Sequence, residues 1–164
     1  MTDIEVKGLS ELQKLLDELP ARIEANVVRG GLRAAAKVIR DEARRLCPVG
    51  DASNLPKGHK PGALRDSIRV SVSSRHGTVT ASVKAGGKNH VYYAHMVEFG
   101  TARHLIKPKR RKSLFIAGLF KEVIDHPGAG KEPFMRPALD DKVDEAITTF
   151  AEYIKNRLET EVKK

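Results

Sequence analysis

Tryptophan is absent from this chain, cysteine occurs once, and aromatic residues make up only 5% of the sequence. A single cysteine excludes an internal disulfide, and Cys47 alone is more typical of a buried, inert thiol than of a nucleophile. The scarcity of aromatic side chains argues against stacking on single-stranded nucleic acid. No apolar run approaches the roughly 18 residues of a membrane span, and the first residues lack the apolar stretch of a signal peptide. We therefore expect a soluble protein that is not exported through a cleaved signal.

The spacings of common catalytic and metal sites are missing as well. The sequence has no His-Glu-x-x-His pattern, no paired cysteines, no Gly-x-Ser-x-Gly turn and no Walker-type phosphate loop. His90 and His95 lie five positions apart, a spacing that places them on different faces of a helix. Glu98, beside His95, is either the acid–base residue of a small nuclease or, as we favour, a partner of backbone N–H groups or of a basic side chain. We therefore predict no catalytic residue, metal site or cofactor.

Positive charge, in contrast, is abundant. Thirty Lys and Arg residues exceed the twenty-one Asp and Glu residues and give a formal net charge of +9. Such a balance favours contact with nucleic acid or with an acidic protein surface, although charge alone does not choose between them. At 164 residues the chain is long enough for one domain with its own apolar core.

The longest segment with one regular period runs from Pro20 to Leu46 and predicts a helix. At about 100° per residue, one side of it carries the apolar side chains of Val28, Leu32, Ala35, Ile39, Ala43 and Leu46. A second stripe, roughly 120° away, is basic and carries Arg29, Arg33, Lys37, Arg40 and Arg44. Gly30 and Gly31 interrupt the helix and predict either a kink or the close approach of another backbone. Cys47-Pro48 predicts its end.

The remaining segments predict an α+β fold, in which an antiparallel sheet with a hairpin packs against a long helix and a C-terminal amphipathic helix. We expect an extended lead-in at Ile4–Leu9, a helix at Ser10–Leu19, a long loop at about 47–62 and one helical turn at Ala63–Ser67. Alternating residues predict a hairpin from Ile68–Ser73 and Thr78–Ala85. Further elements are a short helix from Tyr92 that Gly100 ends, strands within Ser113–Ile124 that complete the sheet, and an amphipathic helix from Pro133 to about Val162.

Two basic clusters need an explanation. The tract of Lys107, Lys109, Arg110, Arg111 and Lys112 either keeps a solvated strand edge from aggregating or contacts phosphates or an acidic partner. The basic stripe on the long helix is harder to attribute to solvation, because five like charges within one arc repel each other. The acidic side of the last helix is one candidate partner, within a subunit or across an interface, and it carries Asp141, Glu145, Glu152 and Glu159.

Five short strings occur in a characteristic order along the chain. They are Gly8-Leu9 before a short helix, Ala43 to Pro48, Gly62-Ala-Leu-Arg-Asp-Ser-Ile, Tyr93-Ala-His-Met-Val-Glu-Phe-Gly-Thr and Pro133-Phe-Met-Arg-Pro-Ala-Leu. Together they resemble the tailed-bacteriophage family typified by the gene-ten product of phage HK-ninety-seven, which is related to the lambda Z-type minor tail protein. The loop before Gly62 is longer than the family's usual Pro-x-x-Thr-Gly link, and Gly62 lacks the preceding threonine.

This resemblance implies a structural virion protein of the phage neck, which completes the tail or joins it to the head. It implies a ring, commonly hexameric, around the path of the DNA, with no enzymatic activity. The implied partners are other copies of the chain, tail-terminator or tail-tube proteins on one side and head-closure or adaptor proteins on the other. The implied location is the virion, after synthesis in the host cytoplasm. A basic DNA-binding accessory protein is the alternative, and a small nuclease using Glu98 is a more distant one.

The residues that we expect at subunit or partner contacts combine the basic stripe with the two signature segments. They are Arg29, Arg33, Lys37, Arg40, Arg44, Tyr93, Glu98, Phe99, Phe134 and Arg136. The basic tract of residues 107–112 is the expected position for contact with DNA or with an acidic partner.

Overall fold

The computed structural model describes residues 21–50, 60–87, 91–108, 113–116 and 118–162. The predicted lead-in at Ile4–Leu9, the predicted helix at Ser10–Leu19 and most of the loop before Gly62 lie outside these residues. The described elements follow one another in the order α1 (Ala21–Leu46), α2 (Ala63–Ser67), β1 (Arg69–Arg75), β2 (Thr78–Lys84), α3 (Ala94–Phe99), β3 (His104–Ile106), β4 (Leu114–Ile116), β5 (Leu119–Lys121), β6 (Ile124–His126) and α4 (Met135–Val162). The predicted α+β class is confirmed.

The chain divides into two compact units. The described residues 21–41, 69–84 and 141–162 belong to the first unit, and residues 42–68 and 85–140 belong to the second. Both long helices, α1 and α4, contribute residues to each unit. The single-domain organisation expected from the sequence stays a prediction.

In the first unit, α1 packs against α4 at a pair of glycines. Val27, Ile154 and Leu158 form a buried cluster, with Phe150 packed against it. A Cβ atom on Gly31 would lie 2.9 Å from Cδ2 of Phe150, so this position accepts only a hydrogen. The helix runs without a break through both glycines. The sequence predicted either a kink or a close backbone; the structure instead places side chains against the glycines, because absent Cβ atoms leave room for rings.

The predicted hairpin is confirmed as β1 and β2, which pair antiparallel from Arg69 opposite Lys84 to Arg75 opposite Thr78. Only His76 and Gly77 join the strands, and both have positive φ angles of 49° and 78°. Two left-handed central residues define a type I′ turn, whose twist matches that of the flanking strands. The turn is therefore shorter than the Ser74–Gly77 segment expected from the sequence.

The core of the second unit draws its buried apolar residues from α2, α3 and the start of α4, and from the segments next to these helices. Its buried apolar residues are Cys47, Leu64, Ile68, Val91, Ala94, Phe134 and Ala138. The Arg44 guanidinium donates two hydrogen bonds to the Ile68 carbonyl, at 3.2 and 2.8 Å. Ser67 Oγ donates to the Leu64 carbonyl and accepts from the Gly86 N–H at 2.8 Å. These bonds connect the end of α1, the helical turn α2 and the segment after β2.

The strands within residues 113–124 do not complete the sheet of the first hairpin, so that prediction is wrong. β4 pairs with β5, and β6 pairs with β3, in two further two-stranded antiparallel sheets. The physical reason is the turn at Gly118, which has a φ of 82° and lies between two apolar runs. Because this turn reverses the chain, the two runs pair with each other as β4 and β5. The apolar residues of segment 113–124 therefore predicted strands correctly, but they did not predict which strands pair with each other.

Candidate functional site

Glu98 joins the two signature segments of the second unit. It lies in α3, is 8% exposed, and directs its carboxylate at the beginning of α4. One carboxylate oxygen accepts the N–H groups of Phe134 and Met135 at 2.8 and 2.9 Å, and the other accepts that of Arg136 at 3.0 Å. The first N–H groups of a helix have no acceptor within the helix and carry its positive dipole end. A buried carboxylate therefore caps α4 across a separation of 36 residues.

The electrostatics of Glu98 fit this capping role. Burial raises the pKa of its carboxyl, but the three backbone N–H donors, together with Arg136, lower it further, so the pKa lies below the usual 4.5. A carboxylate that stays ionised and bonded on both oxygens is unsuited to giving or taking protons near neutral pH. The favoured interpretation of Glu98, as an acceptor of backbone N–H groups, is confirmed.

Backbone contacts strengthen the same junction. Thr101 and Ala129 form an isolated antiparallel bridge with N–O distances of 3.0 and 3.1 Å. The Glu132 N–H donates to the Val97 carbonyl at 2.8 Å. The end of α3 is thus fastened to the segment that leads into α4 by bonds on both sides of Glu98.

Next to this junction, α3 presents apolar side chains to solvent. The predicted short helix is confirmed at Ala94–Phe99, and Gly100 follows it with a φ of 74°. Tyr92 and Phe99 are 70% and 77% exposed, and Met96 is also exposed. The apolar repeat of Tyr92, Met96 and Phe99 that predicted this helix therefore lies on its solvent-exposed side. Val91, Ala94 and Glu98 occupy the inner side.

The β4–β5 hairpin, which we call the arm, is a second apolar surface. Phe115 and Phe120 are direct cross-strand partners, their ring centroids lie 4.9 Å apart, and they are 64% and 75% exposed. Leu119 is also exposed. Sequence reasoning missed this surface because it assigned the apolar run to strands that complete the sheet of the first hairpin. The sequence signal for a hairpin was Gly118. It separates two short apolar runs, which suits a tight turn between two strands better than one long strand.

The predicted contact residues of the signature segments fall into three groups by their exposure. Phe134 is fully buried and, like Glu98, acts inside the chain. Tyr93 is half-buried, and burial raises the pKa of its phenol above 10.0, as does the nearby Cys47. Phe99 and Arg136 are exposed and available for a partner.

The structure describes Cys47 and one residue of the basic tract, Lys107. Cys47 is buried, as expected, and burial raises the pKa of its thiol to about 11. Of the basic tract, Lys107 is exposed, whereas Lys109, Arg110, Arg111 and Lys112 lie outside the described residues.

Two residues of the basic stripe of α1 have partners within the chain, and three are exposed. Arg40 forms an ion pair with Asp41, and Arg44 is bonded to the Ile68 carbonyl. Arg29, Arg33 and Lys37 are exposed. Across the described ranges, we find no ion pair between this stripe and the exposed acidic residues of α4, which are Asp141, Glu145, Glu152 and Glu159.

Within the part of the chain that the structure describes, no three His, Cys, Asp or Glu side chains come together as a metal site requires. None of the described helices combines the length and apolar character needed to cross a bilayer.

Comparison with known protein families identifies a match over more than half of the chain. Residues 10–100 match the model of the HK97-gp10-like family, described as "Bacteriophage HK97-gp10, putative tail-component". No curated protein and no solved structure matches the chain. The matched region ends with α3 and Gly100, and thus includes Glu98 but not the α4 segment that Glu98 caps.

Proposed function

The chain belongs to the HK97-gp10-like family of bacteriophage tail components, and on that premise we propose that it is a structural protein of the phage neck. In this proposal it completes the tail or joins it to the head, as a ring around the path of the DNA, hexameric as the resemblance implies. Its neighbours are tail-terminator or tail-tube proteins on one side and head-closure or adaptor proteins on the other. It is made in the host cytoplasm and resides in the virion.

The observation that carries this proposal is the exposed apolar surface of α3 beside a rigid junction. Tyr92, Met96 and Phe99 follow one another at steps of four and three residues and are all exposed. Monomeric proteins rarely leave such patches uncovered unless a partner binds them. Because Glu98 fastens α3 to α4, this surface is held in a fixed shape before a partner arrives. A binding role also agrees with the engagement of Glu98 in helix capping.

Charge supports contacts between identical copies. The exposed cations of α1 and the exposed acids of α4 lie in the same unit but do not pair with each other across the described residues. A ring places one surface of each copy against a different surface of the next. Opposite charges on two surfaces of one chain suit such a head-to-tail contact and steer its formation.

Native mass spectrometry of the purified chain, combined with quantification of the chain in purified virions and isolated tails, tests this function. We expect a closed oligomer in solution or a fixed multiple copy number per particle. Particles that lack the chain altogether would contradict the proposal.

The alternative, a DNA-binding accessory protein, is favoured by one observation, the exposed Arg29, Arg33 and Lys37. Cations that grip phosphates release counterions, so binding to duplex DNA would weaken steeply between about 50 and 200 mM salt. Salt-dependent retention on duplex DNA by a chain that is absent from particles would establish this alternative.

A further inference from the structure

The β1–β2 hairpin has one face without an apolar side chain. Successive side chains of a strand point to opposite faces, so the register places alternate cross-strand pairs on the same side. One side carries the valines of both strands together with Ala81 and Ser74. The other side, which we call the polar face, carries Arg69, Ser71, Ser73 and Arg75 on β1, opposite Lys84, Ser82, Thr80 and Thr78 on β2.

The polar face is open to solvent in its half next to the turn. Ser73, Arg75, Thr78 and Thr80 are exposed there, and Lys84 is exposed at the other end. No acidic residue lies on either strand or in the turn between them. None of the ion pairs among the described residues involves Arg75 or Lys84. The face therefore presents positive charge and hydroxyl groups, with no negative charge of its own.

The chemistry of the polar face fits a phosphate backbone better than a protein partner. Protein interfaces are centred on aromatic or aliphatic anchors, and this face has none. Protein–DNA interfaces are more polar and more positive, and Arg, Lys, Ser and Thr are among the side chains that bond to phosphate oxygens. Because the face has no aromatic side chain, it cannot stack on the bases of a single strand. A duplex is therefore the nucleic acid that it matches.

The spacing of the cations on the polar face also suits a duplex. Arg75 lies opposite Thr78, six residues along β2 from Lys84. Six steps of an antiparallel strand span about 20 Å. The major groove of B-DNA is about 12 Å wide and admits a two-stranded β-ribbon. Cations at the two ends of the face can thus contact phosphates on both sides of the groove, with the hydroxyl groups of Ser73 and Thr80 between them.

We propose that the polar face of the β1–β2 hairpin binds the phosphate backbone of duplex DNA. The proposal rests on the proposed function, in which the chain surrounds the path of the DNA, and it names the surface that meets the DNA. Phosphate contacts carry no sequence information, and they let a protein slide along a duplex. A weak contact without sequence preference therefore suits DNA that moves past the chain.

Fluorescence anisotropy of the purified chain with a labelled duplex of about 30 base pairs tests this contact. Arg75→Gln with Lys84→Gln removes two exposed cations of the polar face. If each cation contacts one phosphate, the slope of log K against log salt should become less negative by about 2, and affinity at about 50 mM salt should fall at least tenfold. The matched control, Lys121→Gln with Lys131→Gln, removes two exposed cations outside the hairpin and should keep affinity within about threefold.

A second variant tests the hydroxyl groups separately from the charges. Ser73→Ala with Thr80→Val removes two uncharged donors, which release no counterions. We therefore expect binding to weaken about fivefold or more with an unchanged salt slope. A single strand of the same length should bind less tightly than the duplex, because it carries a lower charge density and finds no aromatic side chain on the face. Tighter binding of the single strand would contradict a duplex contact.

The charge variant also decides between DNA and a neighbouring copy. If Arg75→Gln with Lys84→Gln keeps the affinity and salt slope of the wild type, or if the wild type does not bind the duplex, the proposal is overturned. Loss of oligomers from this variant in native mass spectra would assign the polar face to a neighbouring copy and would overturn it as well. Each of these results would leave the proposed tail function standing, because that function fails only if the chain is absent from particles.

Discussion

Three backbone N–H groups at the beginning of α4 depend on one carboxylate, that of Glu98. Glu98→Gln keeps the size of the side chain but turns an N–H₂ group toward donors, so at least one N–H loses its acceptor. We expect the free energy of unfolding to fall by about 1–3 kcal/mol near neutral pH. Urea unfolding followed by circular dichroism measures this loss. Glu122→Gln, at an exposed position, is the control and should leave stability within about 0.5 kcal/mol.

The same residue predicts a pH dependence. The pKa of Glu98 in the folded chain lies below its usual value of 4.5, so its stabilisation is fully present above that value. It is lost as the pH falls from 4.5 through the folded-state pKa, because protonation removes the ionised acceptor. The stability difference between wild type and Glu98→Gln should therefore shrink in acid. A difference that is constant from pH 7 to about pH 3 would show that the charge does not contribute.

Sequence reasoning reached the role of Glu98 but not its partners. The acceptor interpretation followed from the rule that polar groups find hydrogen-bond partners, and it left open a backbone N–H group or a basic side chain as the partner. The N–H groups that it binds lie 36 or more residues away, in a segment that is adjacent only after folding. A residue's chemistry is thus readable from the sequence, whereas the geometry of a long-range cap is not.

At the scale of elements, the crossing of α1 and α4 depends on Gly31. A Cβ atom there would lie 2.9 Å from Phe150 and 3.4 Å from Ile154. Alanine gains about 1 kcal/mol in helix propensity but overpacks a buried site, at a cost of about 1–3 kcal/mol. We expect Gly31→Ala to lower the melting temperature and Phe150→Leu to restore part of it in the double variant. Additive losses, measured by calorimetry, would show that the two side chains do not meet.

The turn of the β1–β2 hairpin gives a purely conformational prediction. Gly77 has a φ of 78°, and a Cβ atom there would have no heavy atom within 4 Å. Gly77→Ala should therefore cost about 1 kcal/mol through backbone strain alone. Gly130 has equally open surroundings but no left-handed φ, so Gly130→Ala should be neutral or slightly stabilising. Chemical denaturation of both variants distinguishes backbone strain from the mere addition of a methyl group.

The elements that could be predicted from the sequence are those whose apolar residues recur at a regular spacing. The long helix, the hairpin and the last helix each repeat an apolar pattern over many residues, and all three are confirmed. The segment 113–124 has no alternation, so its strands were predictable but their pairing was not. On α3 the apolar repeat was correct, yet it faces solvent. A single chain's periodicity identifies an apolar face without saying whether its own core or a neighbour covers it.

At the scale of the whole molecule, exposed charges of opposite sign lie on α1 and α4. Arg40 has a partner in Asp41, whereas Arg33 is exposed on the same helix. Exposed like charges on one arc destabilise a lone helix slightly and gain most when an acidic surface approaches. In the proposed head-to-tail contact, the exposed acids Glu152 and Glu159 on α4 would supply such a surface on a neighbouring copy.

Reversal of these charges should therefore weaken assembly more than folding. Arg33→Glu with Arg40→Glu places two acids where the proposed contact needs cations, and we expect at least tenfold less oligomer in native mass spectra at about 50 mM salt. Melting temperature should change little, because surface ion pairs contribute about 0–1 kcal/mol each. Arg75→Glu with Lys84→Glu, both exposed on the hairpin strands, applies the same charge change outside α1 and should assemble normally.

Restoration by the opposite reversal completes the argument for the charge contact. Glu152→Lys with Glu159→Lys on a second population of chains should recover mixed oligomers with the Arg33→Glu and Arg40→Glu chains, since each contact then has opposite signs again. Recovery in the mixture, but not in either variant alone, would locate the contact between α1 of one copy and α4 of another. If charge reversal leaves oligomers unchanged but abolishes retention on duplex DNA, the stripe binds phosphates instead, and the proposed ring would have to close through other surfaces.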